Sequence, residues 1–127
     1  MPNEIVAKDA PRGTGAYSQA VRAGDFVFVS GQGPLDPETL EVRGETIEEQ
    51  TELTLRNLEA IARAAGGSLR DAVKVSVFLA SIDDFAAFND TYARVLDFSP
   101  RPARTTVACE LNKIMIEIDA VLYLPNG

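Results

Sequence analysis

The sequence contains no histidine and one cysteine, Cys109. Without histidine, neither a Ser-His-Asp triad nor a Cys-His pair can be assembled. A zinc site needs Cys and His ligands in numbers this chain lacks, and no motif points to carboxylate-bound Mg²⁺. The expectation is therefore no metal and no cofactor. A lone cysteine forms no internal disulfide, which suits a reducing compartment and a cytoplasmic location. No apolar run approaches the ~20 residues needed to cross a bilayer. The first ten residues carry Glu4, Lys8 and Asp9 where a signal peptide would carry an apolar core. Basic residues are outnumbered, 12 Lys and Arg against 19 Asp and Glu, for a formal net charge of −7. That balance disfavours binding to phosphate backbones. Arg101 and Arg104, the nearest thing to a basic cluster, are too few for an electrostatic footprint. Catalysis, if present, must use carboxylates, hydroxyls, Lys, Arg, backbone groups, water or the single thiol.

What is present reads as an ordinary globular chain, 46% hydrophobic and 24% charged. Its 127 residues suit one domain, 1–127. Glu4 to Lys8 suits a short edge strand, followed by a turn-rich stretch, Ala10 to Ala16. Gln19 to Arg22 reads as a weak strand, Ala23-Gly24-Asp25 as a hairpin turn, and Phe26 to Ser30 as a clear strand. Gly31 to Gly44 is a loop. Thr46 to Ala65 is a long helix, with Thr46 and Glu49 forming a capping box and Gly66-Gly67 ending it. Thr51, Leu55, Leu58, Ala62 and Ala65 make its apolar stripe, with Thr54 and Ile61 beside it. Val73 to Ala80 is a strand with Val73, Val75, Val77 and Leu79 on one face. Ile82 to Leu96 is a second helix, capped by Asp83. Strands Ala103 to Glu110 and Ile114 to Leu124 follow, joined by Leu111 to Lys113. The order β-β-β-α-β-α-β-β predicts an α+β fold, with both helices on one face of a mixed or mostly antiparallel sheet. Phe26 to Val29 is apolar on both faces, and two helices cover only one. The second face is expected to meet another subunit; the alternative is that the N-terminal loop folds over it.

Few side chains stand out as chemical candidates. Arg104 shares a strand face with Thr106, Ala108 and Glu110; it reads as a structural ion pair or as a ligand for a carboxylate. Glu117 lies between Ile116 and Ile118, a rare place for a charge. If the last two strands form a hairpin, Glu117 lies near Thr106 and within reach of Arg104. It then serves as counter-ion, as proton relay, or as both. Asn89 interrupts the helical stripe Phe85, Phe88, Tyr92, Leu96 and is expected to be a buried amide that brackets a loop. Tyr17 can donate to a ligand or act as an aromatic lid. Ser30 and Gly31 end a strand where backbone can approach a ligand, although a plain turn is the commoner reason for such a glycine. Cys109 is expected to be an inert core thiol.

Taken together, Gly15-Ala16-Tyr17-Ser18-Gln19, Val29-Ser30-Gly31-Gln32, Asp84-Phe85 through Asn89 to Tyr92, Pro102-Ala103-Arg104 and Ile116-Glu117-Ile118-Asp119-Ala120 resemble the RidA (YjgF-like) family in order and spacing. The resemblance runs from about Ala10 to Val121. It implies a chorismate-mutase-like fold and a homotrimer with clefts between subunits. It also implies a cofactor-independent deaminase that hydrolyses reactive 2-imino and enamine acids, of the 2-aminoacrylate and 2-iminobutanoate type, to 2-keto acids and ammonia. Arg104 would bind the substrate carboxylate and Glu117 would position water. Tyr17, Ser30, Gly31, Asn89 and Thr106 would line or support the pocket. The chain departs from the common pattern at Ala16, at Thr106 and in the short Leu111 to Lys113 connection. A non-catalytic protein holding a small carboxylate in the same cleft is the alternative. Endoribonuclease, another label attached to the family, fits the acidic balance least well.

Overall fold

Alternation decides which strands lie deepest. Ile116, Ile118, Ala120 and Leu122 occupy one face of the last strand, and each is almost fully buried. In the computed structural model, which describes residues 2–125, that strand sits inside the sheet rather than at its edge. The described residues form β1 (Asn3–Ile5), β2 (Ala20–Ala23), β3 (Phe26–Gln32), α1 (Ile47–Ala64), β4 (Ala72–Leu79), α2 (Phe85–Val95), β5 (Ala103–Ala108) and β6 (Ile116–Tyr123). Across the sheet the order is β1-β2-β3-β6-β4-β5. All pairings are antiparallel except β4 with β5, which is parallel. The α+β architecture is as expected, with α1 and α2 packed together on the side where Val75, Val77, Leu79, Ile116 and Ile118 form the core.

The predicted hairpin of the last two strands does not form. β5 follows β4 and α2, and a strand–helix–strand crossover returns a strand parallel to the first. β5 therefore takes the outer side of β4, and β6 enters between β3 and β4. The burial pattern agrees, because no residue of β5 is fully buried whereas half of β6 is.

Local signals set the helix ends. Thr46 and Glu49 form the expected capping box, worth about 1 kcal/mol, and Gly66 at φ +97 follows the helix. At α2 the expected Asp83 cap is replaced. Ile82–Asp84 is a 3₁₀ turn, and the Ser81 hydroxyl accepts from the Asp83 N–H. In β4 a register shift between Ala72 and Lys74 takes Val73 off the buried face and leaves it exposed.

The loops are held by buried amides, but Asn89 is not among them. It is half-buried, and its side chain makes no hydrogen bond among the described residues. Asn57 on α1 donates to the Gly33 and Leu35 carbonyls, both at 3.0 Å. Gln50 donates to Gly44 O and accepts from Met115 N. Gln19 accepts from Ala7 N and donates to Ala7 O and Pro11 O. Each of these carboxamides satisfies backbone groups that a loop lying over a core would otherwise leave unpaired.

Candidate functional site

Arg104 lies on the helix side of β5, opposite Val75 of β4. Its guanidinium carbon stands 5.7, 5.1 and 4.8 Å from the ring centroids of Phe85, Phe88 and Tyr92 on α2. Three ring faces support the cation while its N–H donors remain unused. No carboxylate pairs with it among the described residues. The aromatic spacing was visible in the sequence as a helical stripe. That the stripe serves as a shelf for Arg104 was not, because the sequence does not show which strand packs against α2. The Tyr92 hydroxyl is buried without a hydrogen-bond partner among the described residues. Burial pushes its phenol up, and the charges of Arg104 and Arg101 pull the other way. Thr106 shares the Arg104 side, half-buried opposite Val77.

Glu117 faces the other way. It pairs with Phe78 of β4, whereas Arg104 is in register with Val75 and, through it, with Ala120. Glu117 and Ala120 are three positions apart, an odd offset, so their side chains project to opposite faces. Within one chain the expected Arg104–Glu117 pair therefore cannot form. Glu117 is half-buried, and burial, with a smaller contribution from neighbouring Asp119, raises its carboxyl above the ordinary value.

Gly31 lies against Glu117, and Ser30 precedes it in β3. The β3–β6 register shifts between Val29 and Gln32, so β3 carries an extra residue at Ser30–Gly31. A Cβ on Gly31 would stand 2.9 Å from the Glu117 carboxyl carbon, so the position has no room for a side chain unless Glu117 moves. The glycine thus serves close approach, not a turn. The Ser30 hydroxyl donates to Ser18 O at 2.7 Å. Tyr17 is 50% exposed, and its hydroxyl accepts from Thr14 N. It lines a cavity of about 30 Å³ with Gly31 and a shallower one of about 510 Å³ with Ser30, Lys74 and Asp119.

The sheet face away from the helices is left uncovered by the described residues. Phe28 is 50% exposed, Phe26 and Tyr123 are exposed beside it, and Val107 is exposed on the distant edge strand β5. The N-terminal segment instead buries Ala7 and Ala10 against the core, so it does not cover this face. Cys109 is exposed just beyond β5 and is not the expected core thiol, because Arg104 takes the helix side and alternation leaves Cys109, like Val107, on the opposite, exposed face. No cluster of three or more metal-ligating side chains occurs among the described residues.

The chain is thus a small α+β protein with a cation on aromatic rings on one face of its sheet and a carboxylate beside a glycine bulge on the other. The family model described as Endoribonuclease L-PSP matches residues 7–124. A RutC family protein of Pyrococcus horikoshii is 43% identical, over 97% of this chain and 98% of its own. The chloroplastic Reactive Intermediate Deaminase A of Arabidopsis thaliana is 41% identical, over 96% of this chain and 67% of its own. The crystal structure of RidA from an Antarctic Psychrobacter superposes with TM-score 0.90 at 42% identity, over 96% and 99% of the two chains. That of Escherichia coli TdcF with bound serine gives 0.88 at 36%, over 95% and 98%. The chain belongs to the RidA (YjgF-like) family.

Proposed function

We propose that this chain is a deaminase that hydrolyses 2-imino and enamine acids to 2-keto acids and ammonia. The observation that carries the reading is Arg104, half-buried on three aromatic rings and without a carboxylate partner among the described residues. A guanidinium held this way suits a planar carboxylate from outside the chain. A relative named Reactive Intermediate Deaminase A and a neighbour crystallised with serine point to the same small-acid chemistry.

Arg104 and Glu117 face opposite sides of one sheet, so the reaction needs two protomers. The uncovered face bearing Phe28 and Tyr123 supports assembly, and a cyclic homotrimer lets each chain offer Arg104 to one neighbour and Glu117 to the other. In such a cleft Arg104 and its neighbour Thr106 hold the substrate carboxylate. Glu117, beside Ser30 and Gly31, orients a water and accepts its proton as oxygen attacks the iminium carbon. The proton then passes to the nitrogen of the carbinolamine. As Glu117 takes the carbinol O–H proton, the C=O bond forms and the C–N bond breaks, releasing keto acid and ammonia, which leaves with that proton as ammonium. Tyr17 closes the cleft over the substrate, and Asn89 supports the Arg104 side. An iminium carbon is already electrophilic, so orientation and a poised water suffice without cofactor or metal. A reducing, cytoplasmic setting fits a protein with one exposed thiol.

The test couples the protein to a pyridoxal-phosphate dehydratase acting on serine or threonine and follows imine decay. Wild type is expected to accelerate decay, and Arg104→Ala and Glu117→Gln to lose most of that acceleration. Binding of keto acid without acceleration would instead make the chain a carboxylate-binding protein. The family description names an endoribonuclease, but a chain of net charge −7 has little to offer a phosphate backbone.

A further inference from the structure

A cavity of about 420 Å³ lies between α1, the segment Ser68–Arg70 and the segment Val95–Phe98 that follows α2. None of the residues assigned to the deaminase cleft lines it. Its floor is apolar: Leu55, Leu69 and Leu96 are almost fully buried, and Phe98 is half-buried. Its walls carry four arginines, in a chain whose net charge is −7. Two of them are neutralised within the chain, Arg94 by Glu52 and Arg63 by Glu59, each at 2.6 Å. Glu59 is further committed by accepting from Leu69 N.

The other two pair with no carboxylate among the described residues. Arg70 stacks on the Phe98 ring, 5.0 Å from its centroid, which fixes the guanidinium without using its donors. Arg56 is exposed and pairs with no carboxylate among the described residues. The remaining acid in the lining, Asp97, is exposed and in no ion pair among the described residues, so among the lining residues the two arginines keep an excess of one positive charge. A ligand-sized space with an apolar floor and convergent cations is the ordinary form of a small-molecule site.

We propose that this cavity binds a small organic anion with an apolar body, its acid group between Arg56 and Arg70 and its body on the leucine floor beside Phe98. The test is a titration of the full chain with phenylacetate, followed by backbone amide chemical shifts, with neutral phenylacetamide in parallel. Expected are saturable shifts at Arg70, Leu96 and Phe98 with phenylacetate and none with the amide. Arg56→Gln and Arg70→Gln should each weaken binding at least about tenfold, whereas Arg104→Ala should leave it unchanged. Arg56 lies on an exposed face of α1, so its variant keeps the test valid if Arg70→Gln disturbs packing on Phe98. Absence of saturation, equal binding of the amide, insensitivity to Arg56→Gln, or shifts that vanish in Arg104→Ala would each overturn the proposal.

Discussion

Gly31 on β3 faces Glu117 on β6 so closely that an added Cβ would stand 2.9 Å from the Glu117 carboxyl carbon. The obstructing atoms are the far end of a flexible side chain, and the backbone at Gly31 does not need positive φ. Gly31→Ala should therefore leave the unfolding free energy within about 1 kcal/mol of wild type, because Glu117 can swing aside. The displaced carboxylate loses its aim, so kcat/KM for imine hydrolysis should fall about tenfold or more. Urea unfolding and the coupled imine assay on one preparation check both parts; unchanged activity would mean that the position of Glu117 is unimportant.

The raised carboxyl of Glu117 makes stability depend on pH. Unfolded, the group ionises near the ordinary glutamate value of 4.5; folded, burial first and Asp119 second hold it higher. The native state thus favours the protonated form, and its stability declines as pH rises through and above 4.5. Glutamine mimics the protonated carboxyl. Glu117→Gln should be the more stable protein at about pH 7.5, with the gap closing at about pH 3.5. The comparison is made in an Arg104→Ala background, so that no guanidinium from a neighbouring protomer offsets the shift. A gap that widens on acidification would contradict this account.

Tyr92 supports Arg104 with its ring while its hydroxyl, buried and unpartnered, contributes nothing to the core. Tyr92→Phe keeps the ring and removes the stranded oxygen. It should be as stable as wild type or up to about 1 kcal/mol more stable, since an unsatisfied buried group carries a desolvation cost. Its KM for imine should stay within about threefold, whereas Tyr92→Leu, which removes one cation–π contact, should raise KM several-fold. A large KM increase in Tyr92→Phe would assign the hydroxyl a role in the cleft.

Asn57 is a structural counterpart to these. Its amide donates to two loop carbonyls, and it is 1% exposed. Asn57→Ala strands both carbonyls and should cost about 2–3 kcal/mol in urea unfolding. The segment after β3 should also exchange its amide hydrogens faster.

Much of this architecture can be read from residue patterns, and the misreadings share a cause. Thr46 and Glu49 cap α1 because a capping box is local, and the Leu55, Leu58, Ala62 stripe is buried because period alone assigns it. Pairing is not local. β5 and β6 are neighbours in sequence but not in space, so Arg104 and Glu117 were placed near one another when they face opposite sides of the sheet. The crossover through α2 carried the missing information, since it requires β5 to run parallel to β4. Gly31 was legible as a special position but not as the neighbour of Glu117, because the bulge that brings them together leaves no mark in periodicity. Gln50 and Asn57 were invisible as loop brackets for a plainer reason. An amide inside a helical stripe does not announce which backbone it will meet.

If each cleft takes Arg104 from one protomer and Glu117 from the next, two inactive variants should rescue one another. Arg104→Ala retains Glu117, and Glu117→Gln retains Arg104. Unfolded together and refolded as an equal mixture, they would assemble at random. A cleft is intact only where a Glu117→Gln chain supplies the arginine and an Arg104→Ala chain supplies the glutamate. That arrangement occurs in about a quarter of the clefts of a randomly mixed cyclic trimer. The mixture should therefore recover roughly a quarter of wild-type imine hydrolysis, while each variant refolded alone stays inactive and the double variant, mixed with wild type, lends nothing. A site confined to one chain could not be restored this way, since no protomer in the mixture carries both residues. Failure to recover activity in trimers shown by mass spectrometry to be mixed would sink the shared cleft, and with it the division of labour between Arg104 and Glu117.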